Sequence, residues 1–284
     1  MSIKIKLFGG LGNQMFQFAT GYSVARRKNL DLYLDLSWFN RRNIHNGFEL
    51  NKVFDIFKRV SFLNNDFSFR SFKLKEFLNK IDTTYQTFNE PHFNYTPDIT
   101  KISDHCFLKG YWQSEKYFQE YENEIKTIFS FNKDLNQSNS KLVDEIYRNN
   151  SISLHVRRGD YLLKKNENHQ TDLNSYYLDA INETSRYYND PKFFIFSDEP
   201  EWVSKNFNIK ADHINVNINH GMDSFLDMYL MSLCKTNIIA NSSFSWWGAW
   251  LNNNNNKNVF APKNWFNDKT ICIKNLIPNS WHLI

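Results

Sequence analysis

Cys106, Cys234 and Cys272 are the only cysteines, an odd number set far apart with no C-x-x-C spacing. Such a set builds neither a disulfide framework nor a zinc ribbon, and it fits a reducing compartment. A basic tract is missing too. The 34 Lys and Arg stand against 30 Asp and Glu, a net charge of +4, with no block of five or more cations. A stripe that grips nucleic acid is therefore not expected. No apolar run approaches the roughly 18 residues that span a bilayer. Lys4 and Lys6 interrupt the first apolar stretch, where a signal peptide carries an unbroken core. Cytoplasmic residence is the expectation, with peripheral contact at the inner face of a membrane left open. There is no fixed-period repeat.

The chain does hold much that is apolar and aromatic: 41% hydrophobic residues, with 26 Phe, 14 Tyr and 8 Trp in 284 positions. That supplies a packed core, and some rings could serve as platforms for sugars. The chain opens as a strand (Ile3 to Phe8), a glycine turn, a helix (Asn13 to Lys28) and a second strand with Leu32, Leu34 and Leu36 on one face. A β-α-β start implies a parallel sheet covered by helices. Residues 40–105 read as short helices and long loops. The polar stretch 131–140 reads as a link between two α/β domains, 1–140 and 141–284. The asparagine tract Asn252 to Lys257 reads as a solvated helix end or loop.

Four stretches carry chemistry. In "FGGLGNQMFQFA", Gly10 and Gly12 let backbone N–H groups and a helix start approach an anion, and Asn13 and Gln14 add amide donors. A dinucleotide fingerprint needs a third glycine where Met15 stands, although Asp35 sits where a ribose partner would. In "SLHVRRGDY", Ile152, Leu154 and Val156 alternate with His155 and Arg157, which are expected to point outward near the strand end. A guanidinium there suits phosphate oxygens, and Asp160 could orient an arginine or act as a base. In "NSSFSWWGAWL", Ser242 and Ser243 open an aromatic helix, either as an anion cradle or as a plain cap. In "FSDEPEWV", Ser197 and Asp198 end a strand, to accept from a nucleoside or to cap the next helix. Metal ligation looks poor: there is no D-x-D pair at a strand end and no H-x-x-x-H spacing.

Taken together and in order, "GGLGNQMFQFA", "GYWQSEKYF", "HVRRGDY", "FSDE" and "NSSFSWWGAWL" resemble the α-1,2-fucosyltransferases, glycosyltransferase family eleven, over residues 9 to about 251. The resemblance implies two Rossmann-like domains facing a cleft (the GT-B type), the first on the acceptor side and the second binding GDP-fucose. It implies transfer of L-fucose from GDP-β-L-fucose to O2 of a galactose in a glycan, with inversion and without a metal or other cofactor. By the same resemblance Arg157, with Arg158 beside it, serves the donor phosphates. His155 lies near the nucleoside, and Ser242, Ser243 and Phe244 contact the diphosphate. Gly10, Gly12 and Asn13 face the donor from the first half, and Ser197 and Asp198 reach guanosine. Asp160 is the first candidate base and Glu115 the second. A lipid-linked or surface glycan is the expected acceptor. The competing readings are a fucosyltransferase of another linkage, an NAD(P)-dependent oxidoreductase and a non-catalytic sugar-binding module. The oxidoreductase leaves "HVRRGDY" and the serine turn without a role, and the binding module, favoured by the aromatics, does not explain the paired arginines.

Overall fold

The computed structural model describes residues 1–40, 46–63, 69–71, 85–131, 134–162, 164–169, 173–207 and 209–284, with the backbone alone at 60–63, 69–71, 160, 162 and 164–166. Two compact units divide the chain: Met1–Asn132 with Cys272–Pro278, and Lys133–Ile271 with Asn279–Ile284. Each carries its own sheet, and every strand pair among the described residues is parallel. The α/β class expected from the alternating elements is the class found. No helix among the described residues is long and apolar enough to cross a membrane.

The N-terminal sheet holds β1 (Ser2–Lys6), β2 (Asp31–Asp35), β3 (Phe69–Ser71), β4 (Gln86–Asn89) and β5 (His105–Lys109), in the order β3-β2-β1-β5-β4. Ile3 and Ile5 of the central strand are fully buried. The strand stops at Lys6, two residues before the expected end, and Leu7 N still donates to Asp35 O at 3.0 Å. The helix after it, Leu11–Lys28, begins two residues earlier than expected. It ends where Asn29 turns left-handed (φ 52°), with three cations in the last turn to meet the carbonyl end of its dipole. The helix is buried almost all round, so its glutamines serve the protein itself. Gln17 Oε1 accepts from Phe8 N, while the Gln14 amide donates to Gly9 O and Gly47 O and accepts from Glu49 N, all at 2.9 Å. These bonds fasten the glycine loop. Further on, where a turn and one helix were expected, two single turns (Glu115–Tyr117 and Gln119–Tyr121) precede the helix Glu122–Ile128.

The C-terminal sheet holds β6 (Asn150–Val156), β7 (Pro191–Ser197), β8 (His213–Val216), β9 (Thr236–Ile238), β10 (Asn258–Ala261) and β11 (His282–Leu283), in the order β11-β10-β9-β6-β7-β8. The run "FFIF" shows why β7 has no polar face. Phe193 and Ile195 join Ile152, Leu154, Tyr176 and Tyr177 on one side, and Phe194 and Phe196 join Val216, Leu230 and Met231 on the other. A parallel sheet covered by helices on both sides asks for such a continuous apolar strand.

Two polar stretches proved more structured than expected. The stretch 131–140 already contains the start of the helix Gln137–Arg148, because Asn136 Oδ1 caps it by accepting from Asn139 N at 2.9 Å. The asparagine tract closes the helix Ser243–Trp250. Asn252 is only 2% exposed. Its amide donates to Cys234 O at 2.6 Å and to Asn237 Oδ1 at 2.8 Å, and Asn237 in turn donates to Ser153 Oγ of β6 at 2.7 Å. Lys257 Nζ reaches the carbonyls of Ala249 and Asn252 at 2.9 and 2.6 Å. Removing the Asn252 amide strands two buried acceptors, at a cost of about 1–3 kcal/mol. Urea unfolding should therefore show Asn252→Ala well below wild type, with the exposed neighbour Asn253→Ala close to it. Equal shifts for the two variants would show that the tract is only solvated loop.

Candidate functional site

The site in the C-terminal unit is set by strand register. β6 pairs with β7 so that Val156 lies opposite Ser197, and with β9 so that Leu154 lies opposite Ile238. The residues following these three strands therefore leave one edge of the sheet together, at the carboxyl ends where open α/β sheets bind ligands.

Past β6 come the two arginines. Arg157 Nη1 lies 3.2 Å from Asp198 Oδ2, and the backbone N–H of Arg158 donates to Asp198 Oδ1 at 3.0 Å. Arg158 Nε meets Glu199 Oε2 at 3.3 Å, and its guanidinium stacks 3.6 Å from the centre of the Trp202 ring. Gly159 leaves room for this contact, since a side-chain carbon at that position would push Asp198 Oδ2 aside. Asp198 is thus engaged with the arginine loop, and Ser197 Oγ accepts from Glu199 N at 3.0 Å in the turn before the helix Pro200–Asn206, whose N-cap is Glu199 with no side-chain cap bond. Arg157 and Asp198 are each about a quarter exposed. An ion pair that wet contributes only about 0–1 kcal/mol, so an incoming anion can displace the carboxylate at little cost.

The arginine loop is tied to the serine turn. The Tyr161 hydroxyl donates to Asn241 O at 2.9 Å, its ring lies 5.5 Å from the Arg157 guanidinium, and the Asn241 amide is anchored on His169 O and Trp265 O. Ser242 Oγ accepts from Phe244 N at 3.3 Å and starts the helix Ser243–Trp250, whose amino end carries the positive pole of its dipole.

His155 departs from expectation. It does lie on the face opposite Leu154 and Val156, but that face is covered, and the ring is 5% exposed with Phe244 5.9 Å away. Burial, with the Arg157 charge adding to it, pushes its pKa down to about 3, so the imidazole is neutral. Its Nδ1 finds no hydrogen-bond partner among the described residues.

The edge of the C-terminal sheet therefore gathers His155, Arg157, Arg158, Ser197, Asp198, Ser242, Ser243 and Phe244. The side chain of Asp160 lies outside the described residues. Gly10, Gly12, Asn13 and Glu115 belong to the N-terminal unit. There Asn13 Oδ1 accepts from Gln113 Nε2 at 2.7 Å. Gln14, expected to offer its amide to a ligand, is wholly buried and spends it on the loop. Asp35 caps a turn by accepting from Ser37 N at 2.9 Å. Among the described residues no group of three or more His, Cys, Asp or Glu side chains could hold a metal ion. Sequence reading missed Tyr161 and Trp202, although both are aromatic residues a few positions from an arginine or an acid of the motifs "HVRRGDY" and "FSDEPEWV". It also missed Asp227, whose signal is an acid inside an apolar helical run.

The family model of Glycosyl transferase family 11 matches residues 2–282. The chain belongs to this family. It is a glycosyltransferase, and the oxidoreductase reading of its glycine loop falls. Its relatives include an α-1,2-colitosyltransferase of Escherichia coli, 35% identical over 290 residues and covering 99% of this chain and 98% of that one. Another is the Escherichia coli O-antigen biosynthesis glycosyltransferase WbnK, 32% identical over 287 residues, covering 92% and 93%. Among solved structures, NodZ α-1,6-fucosyltransferase soaked with GDP-fucose is 18% identical with a TM-score of 0.49, covering 88% of this chain and 92% of that one. A likeness of that degree says nothing of substrate.

The family-11 chain also holds a half-buried acid. Asp227 accepts from Asn219 Nδ2 at 2.8 Å, and Asn219 exchanges amide hydrogen bonds with Asn139 at 2.9 and 3.0 Å. Burial raises the Asp227 carboxyl from 3.8 to about 7, against the pull of the Asn219 bond. Between those values the folded protein keeps a proton that the unfolded chain has released, so this group makes stability fall as pH rises from about 4 to about 7. Asp227→Asn should lose that slope, gaining most over wild type at neutral pH and above. Parallel pH profiles of thermal midpoint for the two proteins would refute the assignment.

Proposed function

We propose that this glycosyltransferase moves L-fucose from GDP-β-L-fucose to O2 of a galactose in a glycan acceptor, inverting to an α-1,2 linkage without a metal ion. The observation that carries the reading is the union of Arg157 with the serine turn at one sheet edge, through Tyr161 and Asn241. In the displacement the acceptor hydroxyl attacks C1 of the sugar, the C1–O bond to the diphosphate breaks with oxocarbenium character, and negative charge grows on the departing β-phosphate. A fixed guanidinium and a helix amino end stand ready for that charge without having to reorganise. Asp198 orients Arg157 until the diphosphate takes its place. The neutral His155, with a buried nitrogen to spare, supports a contact to the nucleoside. Ser197 completes that contact, and acceptor recognition falls to the N-terminal unit, where the glycine loop lies. Asp160 is the base we assign to the acceptor hydroxyl, with Glu115 next. A lipid-linked glycan as acceptor would bring the enzyme to the inner face of a membrane.

One relative favours a second donor. Colitose is L-fucose without its 3-hydroxyl, and a colitosyltransferase shares 35% of this sequence. Supplying GDP-fucose and GDP-colitose to a panel of galactosides, with and without EDTA, separates the donors and tests the metal-free claim. The proposal predicts fucosylated product that EDTA leaves unchanged. Arg157→Ala should lower kcat by roughly a hundredfold to a thousandfold, the loss typical of removing one charge-stabilising group. Turnover near wild type in that variant would remove Arg157 from the mechanism. If Asp160→Asn keeps most of its kcat, the base lies elsewhere.

A further inference from the structure

A second built corner lies at the carboxyl edge of the N-terminal sheet. β4 and β5 run in register to Asn89 opposite Lys109, and Glu90 N donates to Lys109 O at 2.8 Å, so Glu90 and the turn after Lys109 leave the sheet side by side. The Glu90 carboxylate receives two backbone N–H groups of that turn, Tyr111 N on Oε2 at 2.7 Å and Trp112 N on Oε1 at 3.0 Å. Gly110 is needed for the approach, because a side-chain carbon there would collide with Glu90. Trp112 is held in the left-handed region at φ 59°, a conformation that bulky residues avoid unless their surroundings impose it. Its indole is fully buried, and Nε1 has no hydrogen-bond partner among the described residues. From the loop after β1, Phe8 meets the Tyr111 ring edge-on at 4.9 Å. Tyr111 is nonetheless 44% exposed.

A strained turn, an exposed aromatic face and a carboxylate half withdrawn from water are concentrated in a few residues. The protein's own bonds use part of the carboxylate's capacity, and an ionised carboxylate offers about four acceptor positions. A pyranose presents the complement: an apolar C–H face and a row of hydroxyl donors. Burial also raises the pKa of the Glu90 carboxyl, against the pull of the Tyr111 and Trp112 N–H groups.

We infer that Glu90, Tyr111 and Phe8 form a sugar-binding subsite for the acceptor glycan, with a pyranose stacked on Tyr111 and a hydroxyl donated to Glu90. The inference rests on the transferase reading of this chain. Its ligand is a neutral hexose unit, and it gives the N-terminal unit a definite recognition surface.

Saturation-transfer NMR with N-acetyllactosamine and lacto-N-biose on the full-length protein tests it without reference to any donor. Irradiating the protein should transfer signal to the galactose ring protons in wild type. Tyr111→Ala should abolish that transfer, and Glu90→Gln should weaken it strongly. Tyr111→Ala keeps every backbone hydrogen bond of the turn, so it decides the matter if Glu90→Gln fails to fold. No transfer in wild type, or equal transfer in all three proteins, overturns the subsite. In turnover, both variants should raise the galactoside KM by roughly tenfold while the GDP-fucose KM stays within about twofold; a rise in the donor KM instead would place the donor on this corner and overturn the assignment. Failure of the transferase reading shows differently, as a wild-type protein that binds galactosides yet neither transfers nor hydrolyses the sugar of GDP-fucose.

Discussion

Seven register pairs hold β6 to β7, from Asn150 opposite Pro191 to Val156 opposite Ser197. Since both strands run the same way and stop at the same level, the next residue of each is its neighbour's partner. Arg157 therefore meets Asp198, and Arg158 meets Glu199. A slip of one residue would turn every side chain of β6 to the other face and undo all of it. The register is secured from both sides, by Ile152, Leu154 and Val156 packing with Phe193 and Ile195, and by Phe194 and Phe196 packing beyond them. The apolar strands are in this sense part of the electrostatics, because they fix where charge appears.

That arrangement positions two guanidiniums at the sheet edge, each held against a carboxylate. The carboxylates hold the guanidiniums through pairs that are partly wet and cheap to open. Trp202 beneath Arg158 and Tyr161 near Arg157 limit their motion without cancelling their charge. The serine turn is carried on β9, which pairs with β6, and Tyr161 locks the two loops together. Pre-ordered groups of this kind suit a reaction in which negative charge builds on a leaving diphosphate. His155 next to this charge stays neutral because it is buried.

Much of this was legible in the chain. Parallel α/β architecture followed from alternating elements, and "HVRRGDY" and "NSSFSWW", singled out separately, leave the same sheet edge. Other features depended on tertiary context. His155 alternates as an outward residue would, yet β6 lies inside a six-stranded sheet with helices on both sides, so its polar face is covered as well. Gln14 looks like a ligand donor until the helix around it is seen to be buried. Asn252 hides in a tract of identical, mostly exposed neighbours, and only its contact with Cys234 and Asn237 sets it apart. Glu90 offers no pattern at all, since its place is fixed by a left-handed tryptophan that sequence does not announce. The short strand β10 is seated on β9, and the two-residue edge strand β11 on β10, contacts that so few residues do not announce.

The central claim is that the outer phosphate of the nucleotide rests on Arg157. Calorimetric titration of GDP and GMP into wild type and Arg157→Ala isolates that contact, because the two nucleotides differ only in the β-phosphate. Wild type should bind GDP distinctly more tightly than GMP, and most of that gap should vanish in Arg157→Ala while GMP affinity changes little. An equal gap in both proteins would mean that the β-phosphate sits elsewhere.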